Sequence, residues 1–202
     1  YKGVVDGEGI SVFPNIYHSV LPFMNDIIKI EGKGNKFGLK KLSGEVILET
    51  KYDRIDSLSE LVFAVTLDGK LGFMNLKGET VIPFDYDAFD EEVAFYNGLA
   101  CVNKSRDDGS YQFGYIDHSN MVVIPFQFSG AQTFKGKDYI ENWITYPAGG
   151  DKSYTRDTYK LALDGTIIMV DSEHFEDTSW YREWEANHPY DESRRYDDDS
   201  LD

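Results

Sequence analysis

Asp85, Asp87, Asp90, Glu91 and Glu92 place five carboxylates within eight consecutive positions. Carboxylates can work as an acid and base pair in glycoside hydrolysis, or they can present negative charge to a basic partner. Nothing else in the sequence completes a catalytic set. His18, His118, His174 and His188 are widely spaced, and none has a His, Cys or Asp partner at a metal-ligand spacing. Asp107-Asp108-Gly109 is too short for a calcium loop and lacks its bidentate Glu, so it reads as a turn. Gly149-Gly150-Asp151-Lys152-Ser153 superficially resembles a phosphate loop, without the first Gly at the required spacing or a strand-to-helix setting. There is no Gly-x-Ser-x-Gly elbow. Cys101, the lone cysteine, lies in the apolar run Leu99-Ala100-Cys101-Val102 and reads as a small buried hydrophobe. The expectation is therefore no catalytic residue, no metal and no cofactor: a chain that is not an enzyme.

The elements that carry these residues are legible from internal self-similarity. Gly3, Gly38, Gly72, Gly114 and Tyr159 are equivalent positions, with spacings of 35, 34, 42 and 45 residues. Six residues after each comes a Gly or Asn: Gly9, Gly44, Gly78, Asn120, Gly165. Five further on stands Pro14, Pro83 or Pro125, and three beyond that an aromatic, Tyr17, Tyr52, Tyr86 or Phe128. Each copy is rich in strand-forming residues, as in Leu61 to Leu67, and is punctuated by pairs such as Asp68-Gly69. Ser43-Gly44, Lys77-Gly78, Ser119-Asn120 and Asp164-Gly165 are assigned to two-residue hairpin turns that need positive φ. Each copy then predicts a three-stranded antiparallel meander. The Pro, which has no N–H to give a ladder, should end the third strand or lie on an edge. The repeated mid-strand Gly predicts a close backbone approach or an aromatic lying over it. One meander buries too little surface alone, so the copies must stack, as a propeller-like ring or as an open curved array.

Phe113-Gly114-Tyr115-Ile116-Asp117 with Val123-Ile124-Pro125, and the stretch from Gly72 to Asp87, resemble the WG-repeat family, whose typical copy reads W-G-[FY]-I-D, a Gly turn, V-V-I-P and Y-D. The resemblance covers about residues 1–170. Lys2, Phe37, Leu71, Phe113 and Thr158 stand at the Trp position. The family, common in bacteria, implies β-rich repeats, no shared catalytic residues, and binding or accessory roles.

The predicted organisation is thus an all-β domain over 1–170, about five copies with the last degraded, and an acidic segment over 171–202. A short helix is expected over 179–187, capped by Ser179, with Trp180 and Trp184 on one face and Tyr181 beside them. Twelve Asp and Glu against three Arg fall in 171–202, including Asp197, Asp198 and Asp199, so much of the net charge of −16 sits there. A field of that sign repels nucleic acid and anionic membranes and draws in basic partners. The sequence shows no signal peptide and no initiator Met, so upstream residues are taken to have been removed; a cytoplasmic location is expected. The function expected is a protein-binding module that masks a basic protein, such as an immunity protein against a cationic toxin or nuclease. Its contacts would be Asp85, Asp87, Asp90, Glu91, Glu92, Trp180, Tyr181, Glu183, Trp184, Glu185, Asp197, Asp198 and Asp199. The alternative is a small-ligand or glycan binder using Trp143 and Tyr146 as aromatic platforms.

Overall fold

A computed structural model describes residues 1–175, apart from 6, 10, 108, 131, 136 and 149–152. Asn75-Leu76-Lys77-Gly78-Glu79 illustrates how each copy turns. The Gly78 N–H donates to the Asn75 carbonyl, and the Asn75 N–H donates to the Glu79 carbonyl, both at 3.0 Å. Gly78 has φ +80°, whereas Lys77 is not in the left-handed region. This is a three-residue loop with a bulge at its glycine. The same bonds recur at Lys41, Asp117 and Ala162, with Gly44, Asn120 and Gly165 at positive φ. These four turns therefore differ from the two-residue turns expected: only one left-handed residue is needed, which is why Asn120 can replace Gly. Asp68-Gly69, with φ +50° and +75°, does form the two-residue turn.

The hairpins assemble into antiparallel sheets in chain order. The first comprises β1 (Lys2–Val5) and β2 (Ser11–Tyr17). The second comprises β3 (Ser19–Met24), β4 (Ile27–Glu31), β5 (Phe37–Lys41) and β6 (Val46–Tyr52). The third and fourth copies share a sheet. One contributes β7 (Arg54–Ile55), β8 (Val62–Leu67), β9 (Lys70–Asn75) and β10 (Thr80–Asp87). The other contributes β11 (Phe95–Tyr96), β12 (Leu99–Ser105), β13 (Tyr111–Ile116) and β14 (Val122–Phe128). They are joined where Asp87 pairs with Asn103. The last sheet comprises β15 (Tyr139–Ala148), β16 (Ser153–Ala162) and β17 (Ile167–Phe175). The all-β fold of stacked meanders is what the repeat pattern predicts. β17 continues past Val170, where the sequence pattern stops. The helix expected over 179–187 lies outside the described residues.

Of the two places expected for Pro83, a strand end or an edge, the second holds: around Pro83 the strand β10 has only β9 beside it, its pairing with β12 being confined to Asp87. β10 runs through Pro83, and the register jumps there: Ile82 faces Phe73, but Tyr86 faces Leu71. Four residues of one strand thus span two of the other, and Pro83, which has no N–H, sits in the extra length where no ladder bond is required. Phe13 to Tyr17, Leu48 to Tyr52 and Ile124 to Phe128 carry the same jump. The bulge explains the repeated glycine. A Cβ on Gly3, Gly38, Gly72 or Gly114 would lie 2.4–2.9 Å from the carbonyl oxygen of Phe13, Leu48, Ile82 or Ile124. At Gly72 and Gly114 the rings of Phe84 and Phe126 also come within 3.1 Å of that position. Both causes named from sequence therefore operate together.

Alternate side chains of each strand enter different cores. Phe63 and Val65 of β8 join Ile27, Leu39 and Leu48 in the core between the second and third copies. Val62 and Ala64 of the same strand join Leu71, Phe73, Ile82 and Ala100 in the next. This is why the Val62–Leu67 run is almost uniformly apolar. Tyr115, Ile124, Phe128 and Leu161 fill the core between the fourth copy and the last sheet. Phe13, Tyr17, Ile28 and Ile30 fill the first. Among the described residues, every substantial contact between elements of different copies joins consecutive ones. Among the described residues no such contact joins the first copy to the last, so these copies follow one another as an open series.

Candidate partner-binding surface

Residues 88–94 connect β10 to β11 and carry three of the five clustered carboxylates. Side chains from the start of the third copy hold this loop. The Arg54 guanidinium donates through Nη1 to the Phe89 carbonyl at 2.6 Å, and its Nε lies 2.9 Å from Asp56 Oδ1. The Val93 N–H donates to Asp56 Oδ2 at 3.0 Å, and the Ser57 N–H donates to Glu92 Oε1 at 3.1 Å. Burial pushes the Asp56 carboxyl above its ordinary pKa, against the opposing pull of the Val93 N–H and Arg54. The bond from Ser57 holds Glu92 below its ordinary value. A cavity of about 10 Å³ beneath the loop, lined by Phe89, Val93, Ala94 and Cys101 among others, is scarcely the size of one water. These bonds anchor the loop at Phe89, Glu92 and Val93.

The five carboxylates do not share one job. Asp85, Asp90 and Glu91 are exposed. Glu92, also exposed, is tied to Ser57. Asp87 belongs to the junction between copies: it accepts from the Lys70 ammonium and from the Ser105 N–H at 2.6 Å. Asp53 is its equivalent one copy earlier, accepting from Lys36 at 2.5 Å and from the Asp68 N–H at 2.6 Å. Trp180, Tyr181, Glu183, Trp184, Glu185, Asp197, Asp198 and Asp199 lie outside the described residues, as do His188 and most of the Gly149–Ser153 loop.

The remaining candidates are packed internally. Cys101 is buried, and burial raises its thiol to about 12. Half-buried Trp143 lies where a Cβ on Gly130 would be, 2.3 Å from the indole, and the Arg156 guanidinium stands 6.0 Å from its ring. The side chain of Tyr146 lies outside the described set. His118 forms a contact that spacing did not reveal. Its Nε2 is 2.9 Å from Glu60 Oε2, and its ring stacks on Phe95 at 4.0 Å. Glu60 also accepts from the Gly98 N–H at 3.1 Å. The two partners are 58 residues apart in sequence, and neither occupies a repeat position.

The repeat positions themselves form a ladder. Tyr52 stacks on Phe84 of the next copy with centroids 6.4 Å apart, and Tyr86 stacks on Phe126 at 6.1 Å. The Tyr86 hydroxyl donates to Asn120 Oδ1 at 2.6 Å, in the turn of the following hairpin. Aromatic, turn and aspartate thus serve the joint between neighbours, at the offsets read from the sequence, while the repeat glycine makes room for the bulge within its own copy.

Three segments, 37–70, 72–105 and 113–140, match the family described as WG containing repeat. The chain belongs to the WG-repeat family. Each matched segment begins on the strand bearing the repeat glycine and runs into the following meander, to the turn just past β8, to the end of β12 and to the start of β15 respectively. The WG unit is therefore offset by one strand from the sheet: it encodes a hairpin together with the joint to the next copy. Phe37, Leu71 and Phe113 fill the family's Trp position. Leu71 is fully buried, while Phe113 meets Phe89 edge-on at 5.4 Å. No curated protein matches the chain.

Proposed function

We propose that this WG-repeat chain is a protein-binding module without catalysis of its own, and that it masks a basic partner. The observation that carries this reading is the anchored acidic loop. Asp90 and Glu91 are presented, with Asp85 beside them, on backbone anchored through Arg54, Asp56 and Ser57. A preorganised carboxylate cluster loses little freedom on binding, and the net charge of −16 steers a cationic surface toward it. A toxin that grips phosphates, such as a nuclease, offers such a surface, which would make the chain an immunity or inhibitor protein. The acidic residues of 176–202 would add to the steering.

Immobilised chain should retain a basic protein from the source cells. Retention should fall as NaCl is raised from about 0.05 to about 0.5 M, where screening shortens the reach of each charge to a few ångströms. An Asp85→Asn/Asp90→Asn/Glu91→Gln variant should bind that protein at least about tenfold more weakly, or about 1.4 kcal/mol. Deleting 176–202 should slow association. Retention that ignores both salt and the triple substitution would refute the reading.

A further inference from the structure

In the second, third and fourth copies the first strand of the meander has a backbone partner on its outer edge: β4 pairs there with β3, β8 with β7 and β12 with β11. β15, the first strand of the last sheet, departs from this. Asn142 faces Tyr159 as Val65 faces Gly72 and Val102 faces Gly114. Glu141 therefore corresponds to Ala64 and Cys101, and Tyr139 to Val62 and Leu99. In the third copy the Ala64 carbonyl accepts from the Asp56 N–H at 2.9 Å, and Val62 exchanges two bonds with Ser59. In the fourth, Leu99 pairs with Tyr96. In the last sheet the Ser129 N–H donates to the Trp143 carbonyl at 2.8 Å. That bond fixes which way β15 faces: the N–H and C=O of every second residue, hence of Glu141 and Tyr139, turn to the same edge. Among the described residues, nothing bonds them there.

The cause lies in the segment just before β15. Phe134 is buried against Tyr115 with ring centroids 5.4 Å apart, much as Phe95 of β11 is buried against Phe73 at 4.8 Å. Phe134 thus fills the core place that β11 fills one copy earlier. The chain then turns, the Lys137 N–H donating to the Phe134 carbonyl at 2.9 Å, instead of running along β15. A cleft of about 580 Å³ remains, lined by Gln132, Lys137, Asp138, Tyr139, Ile140 and Glu141. That volume falls in the ~300–1,000 Å³ range of ligand sites. Glu141 is exposed. Lys160 stands opposite it on β16, but the ammonium lies over the Tyr139 ring, 3.6 Å from its centroid.

We propose that this cleft accepts a short extended segment of a partner protein, which completes the outer edge of β15 as β7 and β11 complete theirs. The edge offers N–H and C=O groups at strand spacing, and a peptide backbone presents the complementary set. The segment runs antiparallel to Tyr139–Glu141. Its residue opposite Glu141 is Lys or Arg, paired with that carboxylate on the exposed face. The next residue, opposite Ile140, is small, because it points toward the core that Phe134 already fills. Asp85, Asp90 and Glu91 do not line the cleft, so this site stands or falls independently of the masking role.

The probe is a capped pentapeptide, Ala-Lys-Ala-Thr-Ala, titrated into the isotopically labelled full chain and followed by NMR. In the proposed register its Lys meets Glu141, the central Ala meets Ile140 and the Thr meets Tyr139. The amide signals of Tyr139 and Glu141 should shift saturably. N-methylation at the Lys and Thr, whose N–H groups face β15, should weaken binding at least about tenfold, whereas N-methylation at the central Ala, whose N–H faces away, should leave it within about twofold. Glu141→Lys should weaken binding about two- to fivefold, and a Glu in place of the peptide's Lys should restore it. The Asp85→Asn/Asp90→Asn/Glu91→Gln variant should bind the peptide unchanged, which separates failure of this site from failure of the acidic one. Three results would overturn the proposal: no saturable shift at Tyr139 and Glu141, the same effect from both methylation patterns, or full loss of binding in the triple variant.

Discussion

A Cβ on Gly72 would stand 2.8 Å from the Ile82 carbonyl oxygen and 3.1 Å from the Phe84 ring. The carbonyl belongs to backbone and cannot step aside, and the ring is stacked on Tyr52. Gly72→Ala should therefore lower the unfolding free energy by about 1–3 kcal/mol, the range for overpacking a filled site. Gly7→Ala, where nothing lies within 4 Å, should stay within about 0.5 kcal/mol of the parent. Urea denaturation of both variants checks the contrast, and equal midpoints would refute it. The glycine was legible because its offset from the next turn is constant. The bulge opposite it was not, because a proline signals only a missing donor. Whether a strand stops at Pro83 or swells around it depends on where the partner strand lies.

At the level of elements, Asp53 and Asp87 each close one junction, from the ends of the second and third copies' last strands. The hydrogen bond from Lys36 holds the Asp53 carboxyl below its ordinary pKa. For Asp87, burial pushes upward, but the Lys70 ammonium and the Ser105 N–H outweigh it, and its pKa too is lowered. A carboxyl whose folded pKa is depressed contributes stability that is complete above its unfolded pKa, near about 4. That contribution is lost as pH falls through the lower folded value. Asp87→Asn should cost about 1.5–3 kcal/mol at pH 7, as expected for bonds to a charged group. The gap between variant and parent should narrow as pH falls from about 4 toward about 2, which chemical denaturation at a series of pH values would measure. A gap independent of pH would refute the role. The Tyr-Asp pattern was legible as part of the repeat, but Asp87 was grouped with Asp90 and Glu91 because they are close in sequence. Its bonding partners arrive from β9 and from the end of β12, which no linear spacing announces. The acidic loop itself was legible as a charge cluster, whereas its anchoring by Arg54, Asp56 and Ser57 was not.

Over the whole molecule, each core belongs to two neighbouring copies, so stability should be a sum of local terms. Ile124→Ala empties part of the fully buried core between the fourth copy and the last sheet. A loss of about 2–5 kcal/mol is expected locally. Hydrogen exchange should accelerate in β12 to β16 while β3 to β6 keep most of their protection. Uniform acceleration along the chain would mean one cooperative unit instead. The meander strand order was readable because hydrophobic period and turn chemistry agree within the well-kept copies. Ring or line was not readable, because identical copies give identical offsets in both. The distinction lies in whether the end copies touch.

The one-strand offset between the WG unit and the sheet bears on how such chains can change length. The first matched segment ends at Lys70, immediately after the Asp68-Gly69 hairpin tip. A gene duplication breaking at such tips would insert a hairpin already equipped with the opening strand of its successor. Every sheet on either side would remain complete, and every joint would be of a kind already present, so the protein could be extended or shortened by whole copies without remodelling any core.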